Sequence, residues 1–455
     1  MLACLLATVA GCGDDDCCTS AYHDAGIDTA LGQDANPSLT EVALIPAAAT
    51  RDLDLLFVLD DSDTMFELQK KLTDTLPDFF QALLHAPGGL PNLHVGVVTT
   101  DLGTQGSGDP APGPAIPAAA CAGVGKDGLL QTNGAPVTEG FLSSVLDSGG
   151  NRIKNYNGEL VPVVQQMASV GATGCAFEQP LEAMRRGLTN PVNAGFLRPN
   201  ARVAVVVMSD EDDCSLTYAS LLRTDATALG PLGSFRCTRF GVACDGGGAD
   251  PDQMNAVGTK TMCHSNEASP FLTPVGRYTE FLATLKSDPR DVLFSAIVAP
   301  TTPFNVDSLL NPTTGMEQTL LMSACRYASS IGSLGAAPAV RTSELAKRVA
   351  QGTTINVCDG DLPGQLLALA TRVNGLLGTA CIQHLINMPA ACEAFDIDGA
   401  GNATFVPDCA TTSARPCFQI EREPLKCPVQ QALAVQIMRS SVASPDTWTS
   451  VRCAI

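Results

Sequence analysis

Three short stretches place oxygen-bearing side chains where they could hold a hard cation. The first is Asp60-Asp61-Ser62-Asp63-Thr64. Asp60, Ser62 and Thr64 stand at alternate positions, so in a tight turn all three can point at one centre. Carboxylate and hydroxyl oxygens are the ligands that Mg²⁺ prefers. The second stretch is Gly171-Ala172-Thr173-Gly174, and the third is Ser209-Asp210. A plainer reading of the first stretch stands beside this one. Thr64-x-x-Glu67 has the form of a capping box, and strand-to-helix turns favour Asp and Ser in any case. The first stretch alone does not choose between the two.

The elements around these stretches decide where they sit. Leu55–Leu59 is an unbroken apolar run, short enough for a strand buried on both faces. Met65, Leu68, Leu72, Leu76, Phe79, Phe80 and Leu83 then recur at helical spacing. Strands are expected at Leu93–Thr100, Val203–Met208, Val292–Val298 and Thr353–Val357. Helices are expected at Glu159–Val170, Phe177–Leu188, Val275–Leu285, Thr342–Val349 and Leu362–Val373. Apolar strands alternating with helices predict an α/β fold, a doubly wound and mainly parallel sheet with helices on both faces. In such sheets ligands bind at the carboxyl ends of the strands, where Asp60 and Asp210 fall.

Composition narrows the partners. The 455-residue chain carries a net charge of −20 with only 27 Lys and Arg, which argues against nucleic acid and anionic membrane surfaces but suits divalent cations. The 18 cysteines lack zinc-like pair spacing and are too many for a reducing compartment. With Cys4, Cys12, Cys17 and Cys18 set aside, the remaining fourteen run from Cys121 to Cys453 and are expected to be disulfide-bonded. His23, His85, His94, His264 and His384 show no His-Glu-x-x-His spacing, so a zinc hydrolase is unsupported. His94 is read as a packed or edge strand residue.

Leu2–Ala10 is a short apolar run ending in Val9-Ala10-Gly11-Cys12, similar to a bacterial lipoprotein signal with Cys12 as the lipidated residue. An ordinary secretory signal is the alternative. No run of 18 apolar residues could span a membrane, so contact with the membrane is expected through the lipid alone. The domain plan is then a signal over 1–11, a flexible acidic tether over 12–50, an α/β domain over 51–377 and a Cys-rich β module over 378–455. Insertions are expected at about 103–158, 215–270 and 300–339. Glu211, Asp212 and Asp213 read as a solvated acidic turn, with a second cation as the alternative. Asp396-Ile397-Asp398-Gly399 reads as a β-turn, since the EF-hand spacing is absent.

Together Asp60-x-Ser62-x-Thr64, Thr173 and Asp210 resemble the metal-ion-dependent adhesion site of the von Willebrand factor type A domain, over roughly Asp52–Leu377. The segments Leu59–Met65, Gly174–Met184 and Ser209–Ser215 are similar to those of Cys-rich type A lipoproteins of myxobacteria. The resemblance implies a divalent cation, Mg²⁺ foremost with Mn²⁺ or Ca²⁺ as alternatives. Asp60 would hold it through water, Ser62 and Thr64 by hydroxyl, and Asp210 directly or in the next shell. Thr173 is shifted in register by the longer segment Cys175–Pro180. One coordination position would be left for a carboxylate of a protein or matrix ligand, so the implied function is adhesion, not catalysis. Cys175 and Cys214 each follow a site loop and are expected to bridge, with pairing to the insertions as the alternative. The implied location is the cell envelope, lipid-anchored in the outer membrane and facing an oxidising compartment. Two rivals stand beside this reading. One is a structural envelope lipoprotein with a vestigial metal site. The other is a Mg²⁺-dependent phosphatase of haloacid-dehalogenase type, in which Ser62 would stand where a general-acid Asp is needed.

Overall fold

The computed structural model describes residues 38–47, 50–84, 89–245, 250–310, 317–378, 380–382, 385–387, 390–424, 427, 431–441, 443–444 and 446–455. Its centre is a seven-stranded sheet. The strands are β1 (Asp52–Leu59), β2 (Asn92–Thr99), β3 (Leu142–Leu146), β4 (Arg152–Lys154), β5 (Arg202–Met208), β6 (Val292–Val298) and β7 (Gln351–Asn356), in the spatial order β7-β6-β5-β1-β2-β3-β4. The first five in that order are parallel, and β3 and β4 add an antiparallel edge.

The apolar run of β1 has a use for every residue. Leu53, Leu55, Phe57 and Leu59 face one core, which they share with Leu72 and Phe79 of α1 (Phe66–Leu84), Met167 of α2 (Leu160–Ala168) and Leu369 of α6 (Leu362–Leu376). Leu56 and Val58 face the other, with Met184 of α3 (Pro180–Thr189), Tyr278 of α4 (Val275–Thr284) and Leu345 of α5 (Val340–Arg348). A two-residue strand period makes this division, so the sheet has a packed core on each face.

Several expectations need correction. The tether reading of 12–50 fails over Thr40–Pro46, which forms a strand antiparallel to Trp448–Cys453. That strand is Thr-Glu-Val-Ala-Leu-Ile-Pro, apolar enough to cover Val451 and Cys453. The C-terminal part holds two sheets, one of them completed by Thr40–Pro46. Leu142–Leu146 and Arg152–Lys154, within the region read as loop, extend the central sheet. The third insertion is a hairpin, Cys325–Ser329 with Gly332–Ala336, beside strands Phe304–Leu310 and Glu317–Leu321. Cys12, His23, His85 and His384 lie outside the described residues.

All fourteen cysteines from Cys121 onward pair, as Cys121–Cys175, Cys214–Cys237, Cys244–Cys263, Cys325–Cys358, Cys381–Cys427, Cys392–Cys453 and Cys409–Cys417. The expected bridge between Cys175 and Cys214 does not form. Their loops do meet, through a bond from Cys214 N–H to the Glu178 carbonyl. However, Ala176 N–H binds the Ala119 carbonyl, which brings the first insertion and Cys121 within 4.4 Å of Cys175 by Cα. Each cysteine therefore closes onto an insertion. Seven disulfides fit an oxidising compartment. No described helix is long and apolar enough to cross a membrane.

Candidate metal centre

β1 and β5 are parallel neighbours, with Leu59 opposite Met208, so the residues that follow them emerge side by side. The chain runs from β1 to β2 on one side, and β5 lies on the other; crevices form at such reversals of strand order. Asp60 and Asp210 stand there, with 0% and 1% of their surfaces exposed. Asp60 Oδ1 accepts from Ser62 N–H at 2.8 Å, and Oδ2 accepts from the Ser209 hydroxyl at 2.6 Å. The Ser62 and Thr64 hydroxyls lie 3.5 Å apart. Gln69 of α1 donates to the Asp60 and Gly171 carbonyls, at 2.8 and 2.7 Å. Gly174 N–H donates to the Asp61 carbonyl at 2.7 Å, and a Cβ at Gly174 would meet the Asp61 carboxylate at 2.3 Å, so that close approach requires glycine.

The structure thus gathers Asp60, Ser62, Thr64 and Asp210. Thr173 sits in the adjoining loop, exposed, and makes no recorded hydrogen bond with them. The capping box does not form. Glu67 Oε1 instead accepts from Ser330 N–H of the third insertion at 3.0 Å.

Burial, and after it the charge of Asp210, push the Asp60 carboxyl well above its ordinary range. Burial also raises Asp210, against the Thr64 hydroxyl and the Tyr327 phenol, which favour its charged form. Among the described residues neither carboxylate has a Lys or Arg partner, and Asp210 Oδ1 has no hydrogen-bond partner at all. Two buried carboxylates without a cation and one orphaned oxygen leave electrostatic need unmet. With two hydroxyls alongside, that oxygen-only donor set fits Mg²⁺. Among the described residues no three of His, Cys, Asp or Glu gather in metal-holding geometry, so hydroxyls would have to complete the set.

Sequence reasoning missed several neighbours. Glu178 is buried and raised well above its ordinary range by burial, then by the charges of Glu211 and Asp60. Glu211 is pushed up to about 7 by burial and by Asp210. Both line a cavity of about 260 Å³ with Thr64 and Asp210. Tyr327 donates to Asp210 Oδ2 at 2.8 Å. Lys126 of the first insertion pairs with Asp61 at 2.6 Å. Glu178 lies within the quoted Gly174–Met184 segment, but nothing in the sequence brings Tyr327 or Lys126 here.

The solvated acidic turn is also overturned. Asp212 accepts from the N–H groups of Arg341 and Thr342 at the start of α5. Asp213 is fully buried and pairs with Arg341 at 3.0 Å. The turn expected over Asp396–Gly399 is displaced: Asp396 and Ile397 end a strand, and the turn begins at Asp398, which accepts from Ala400 and Asn402 N–H. His94 is packed, its ring against Phe141 and its Nδ1 on the Phe196 carbonyl.

No family model and no curated protein matches this chain. Solved structures do match at low overlap. BatB of Bacteroides thetaiotaomicron, described as a conserved hypothetical protein, is 9% identical with a TM-score of 0.27, covering 71% of this chain and 98% of its own. The pilus adhesin SpaC of Lactobacillus rhamnosus GG is 8% identical with a TM-score of 0.32, over 93% and 43%. A von Willebrand factor type A protein of Catenulispora acidiphila is 8% identical with a TM-score of 0.27, over 92% and 67%. The site therefore rests on its own geometry.

Proposed function

We propose that residues 51–377 form a doubly wound domain of von Willebrand factor type A kind that binds a divalent cation, and through it a carboxylate of a protein or matrix partner. The observation that carries this is the pairing of buried Asp60 and Asp210 with no Lys or Arg among the described residues against either, one oxygen of Asp210 being unpartnered. Asp60, Ser62, Thr64 and Asp210 would hold the ion, with Thr173 at the rim. Both Asp60 oxygens already accept hydrogen bonds, which suits contact through water. The bound ion would supply one open coordination position, and a partner carboxylate is the ligand that position prefers. The reading is of an adhesive, non-enzymatic protein of the cell envelope, anchored through Cys12 in the outer membrane.

A specific observation favours a second reading. Asp60, Ser62 and Asp210 are nearly inaccessible, so the ion could serve the fold alone, in a structural envelope protein. Both of these readings require an ion, whereas a structural envelope lipoprotein with a vestigial metal site requires none. Melting of the oxidised chain in EDTA against Mg²⁺, Mn²⁺ or Ca²⁺ tests that, with Asp60→Ala alongside. An ion at about 100 times its dissociation constant stabilises the fold by about 2.7 kcal/mol, a rise of a few degrees. A rise lost in the variant supports the site, and no rise with any ion refutes it.

A further inference from the structure

The third insertion reaches into the metal centre, and we propose that Tyr327 is a positioning residue of that centre, with its hairpin as a fourth loop. The inference rests on the cation reading above. Tyr327 is 3% exposed. Its phenol donates to Asp210 Oδ2 at 2.8 Å and lies 3.3 Å from the Thr64 carbonyl, so one hydroxyl touches both the first and third site loops. With Oδ2 held, Oδ1 is the Asp210 oxygen left without a partner. Tyr327 thereby fixes which oxygen is free for a cation or its water.

The hairpin is held firmly enough to do this. Ala337 N–H donates to the Asp210 carbonyl at 2.8 Å. Ser330 N–H donates to Glu67 at the start of α1. Lys71 Nζ lies 5.6 Å from the centre of the Tyr327 ring. Cys325 is bonded to Cys358, just past β7. The phenol is thus fixed from three sides of the crevice. A group that orients a metal-binding carboxylate is a recognised determinant of affinity, and its removal typically weakens binding by 10- to 100-fold.

Tyr327→Phe deletes the hydroxyl and keeps the ring. Mg²⁺ and Mn²⁺ are titrated into the full oxidised chain by calorimetry. The dissociation constant of Tyr327→Phe is expected to rise about 10-fold or more. Ile331→Ser, at the hairpin tip where the side chain is 84% exposed, is expected to leave it unchanged. A merely structural tyrosine would lower the melting temperature in EDTA but leave the ion affinity intact, and that result overturns the proposal. A second readout needs no variant. Mg²⁺ is expected to slow amide exchange across Cys325–Ala336 of the wild-type chain, and an unchanged hairpin in a chain that binds the ion also overturns the proposal. A wild-type chain that binds no ion instead refutes the cation reading itself.

Discussion

Replacing Arg341 by Met tests how the loop that carries Asp210 is held. Arg341 is fully buried at the start of α5. It donates to Asp213 Oδ2 at 3.0 and 3.2 Å, and to the carbonyls of Asp213, Thr273 and Gly241. Asp213 is also fully buried, and its Oδ1 accepts from Leu181 N–H and the Ser215 hydroxyl. Met fills much of the volume but leaves the Asp213 charge without a cation, a change that costs about 3–5 kcal/mol. For a domain of ~330 residues the entropy of unfolding is about 0.7 kcal/mol per degree, so the melting temperature should fall by roughly 4–7 °C. Adding Asp213→Asn removes the stranded charge, while the new amide oxygen can still accept from Leu181 and Ser215. The double variant should therefore recover part of the loss. Calorimetry of both variants in EDTA at pH 7 separates this effect from ion binding. A fall below about 1 °C, or a double variant less stable than Arg341→Met, would refute the role assigned to the pair.

Two further predictions concern the second core and the base of the sheet. Glu182 is buried, which works upward on its carboxyl, but Arg185 and Arg186 outweigh this and hold it below its ordinary 4.5. The folded state then binds fewer protons than the unfolded, so the contribution is complete above about pH 4.5 and is lost as pH falls through the depressed folded value. Glu182→Gln should accordingly flatten the acid limb of a melting temperature against pH curve, and an unchanged limb would contradict the assignment. Trp448, the sole tryptophan, is fully buried with Arg202 and Arg290 each 5.4 Å from its ring, and its indole N–H donates to Asp288 at 2.9 Å. Trp448→Ala should cost about 3–5 kcal/mol. Wild-type indole fluorescence should shift to the red in the same transition that frees the C-terminal sheets, and a shift confined to global unfolding of the α/β domain would show that the two do not separate.

What could be read from the sequence was set by distance along the chain. β2, β5 and β6 fall within a residue of their expected bounds, because each is an apolar run closed by a polar turn; β1 ends at Leu59 as expected but begins three residues before Leu55, at Asp52. Asp60, Ser62 and Thr64 are close in sequence, so their convergence follows from local geometry. Asp210 could be placed because parallel strands in such sheets present their ends together. Thr40–Pro46 was missed because its short apolar run, Val42–Ile45, ends an acidic, small-residue segment and its partner, Trp448–Cys453, is distant in sequence. Tyr327 lies 263 residues beyond Thr64, on a hairpin whose docking depends on tertiary contacts. The disulfides of Cys175 and Cys214 failed for the same reason. Loops were correctly placed near one another, but the insertions that compete for their thiols had no position until the fold was known.

Whether a cation held at Asp60 and Asp210 would serve a partner or only the fold turns on access. The C-terminal sheets dock through Trp448 against Arg202 and Asp288, at the amino ends of β5 and β6. Asp60 and Asp210 follow the carboxyl ends, and a strand of eight residues such as β1 is roughly 26 Å long. Thr40–Pro46 pairs with the strand that Trp448 begins, so this segment joins the domain at the edge opposite the candidate metal centre. A protein tethered by its N-terminus would present the centre outward, as adhesion requires. The hairpin Cys325–Ala336 stands in the way, with Tyr327 on Asp210. An adhesive centre must therefore open locally in the presence of Mg²⁺, at a free energy well below that of global unfolding. Native-state hydrogen exchange reads this directly at the N–H groups of Ser330 and Ala337, which bind Glu67 and the Asp210 carbonyl. Exchange with Mg²⁺ bound that is faster than in β1 by several kcal/mol of opening free energy supports adhesion. Exchange as slow as in β1 would refute it and leave an ion that holds the fold together.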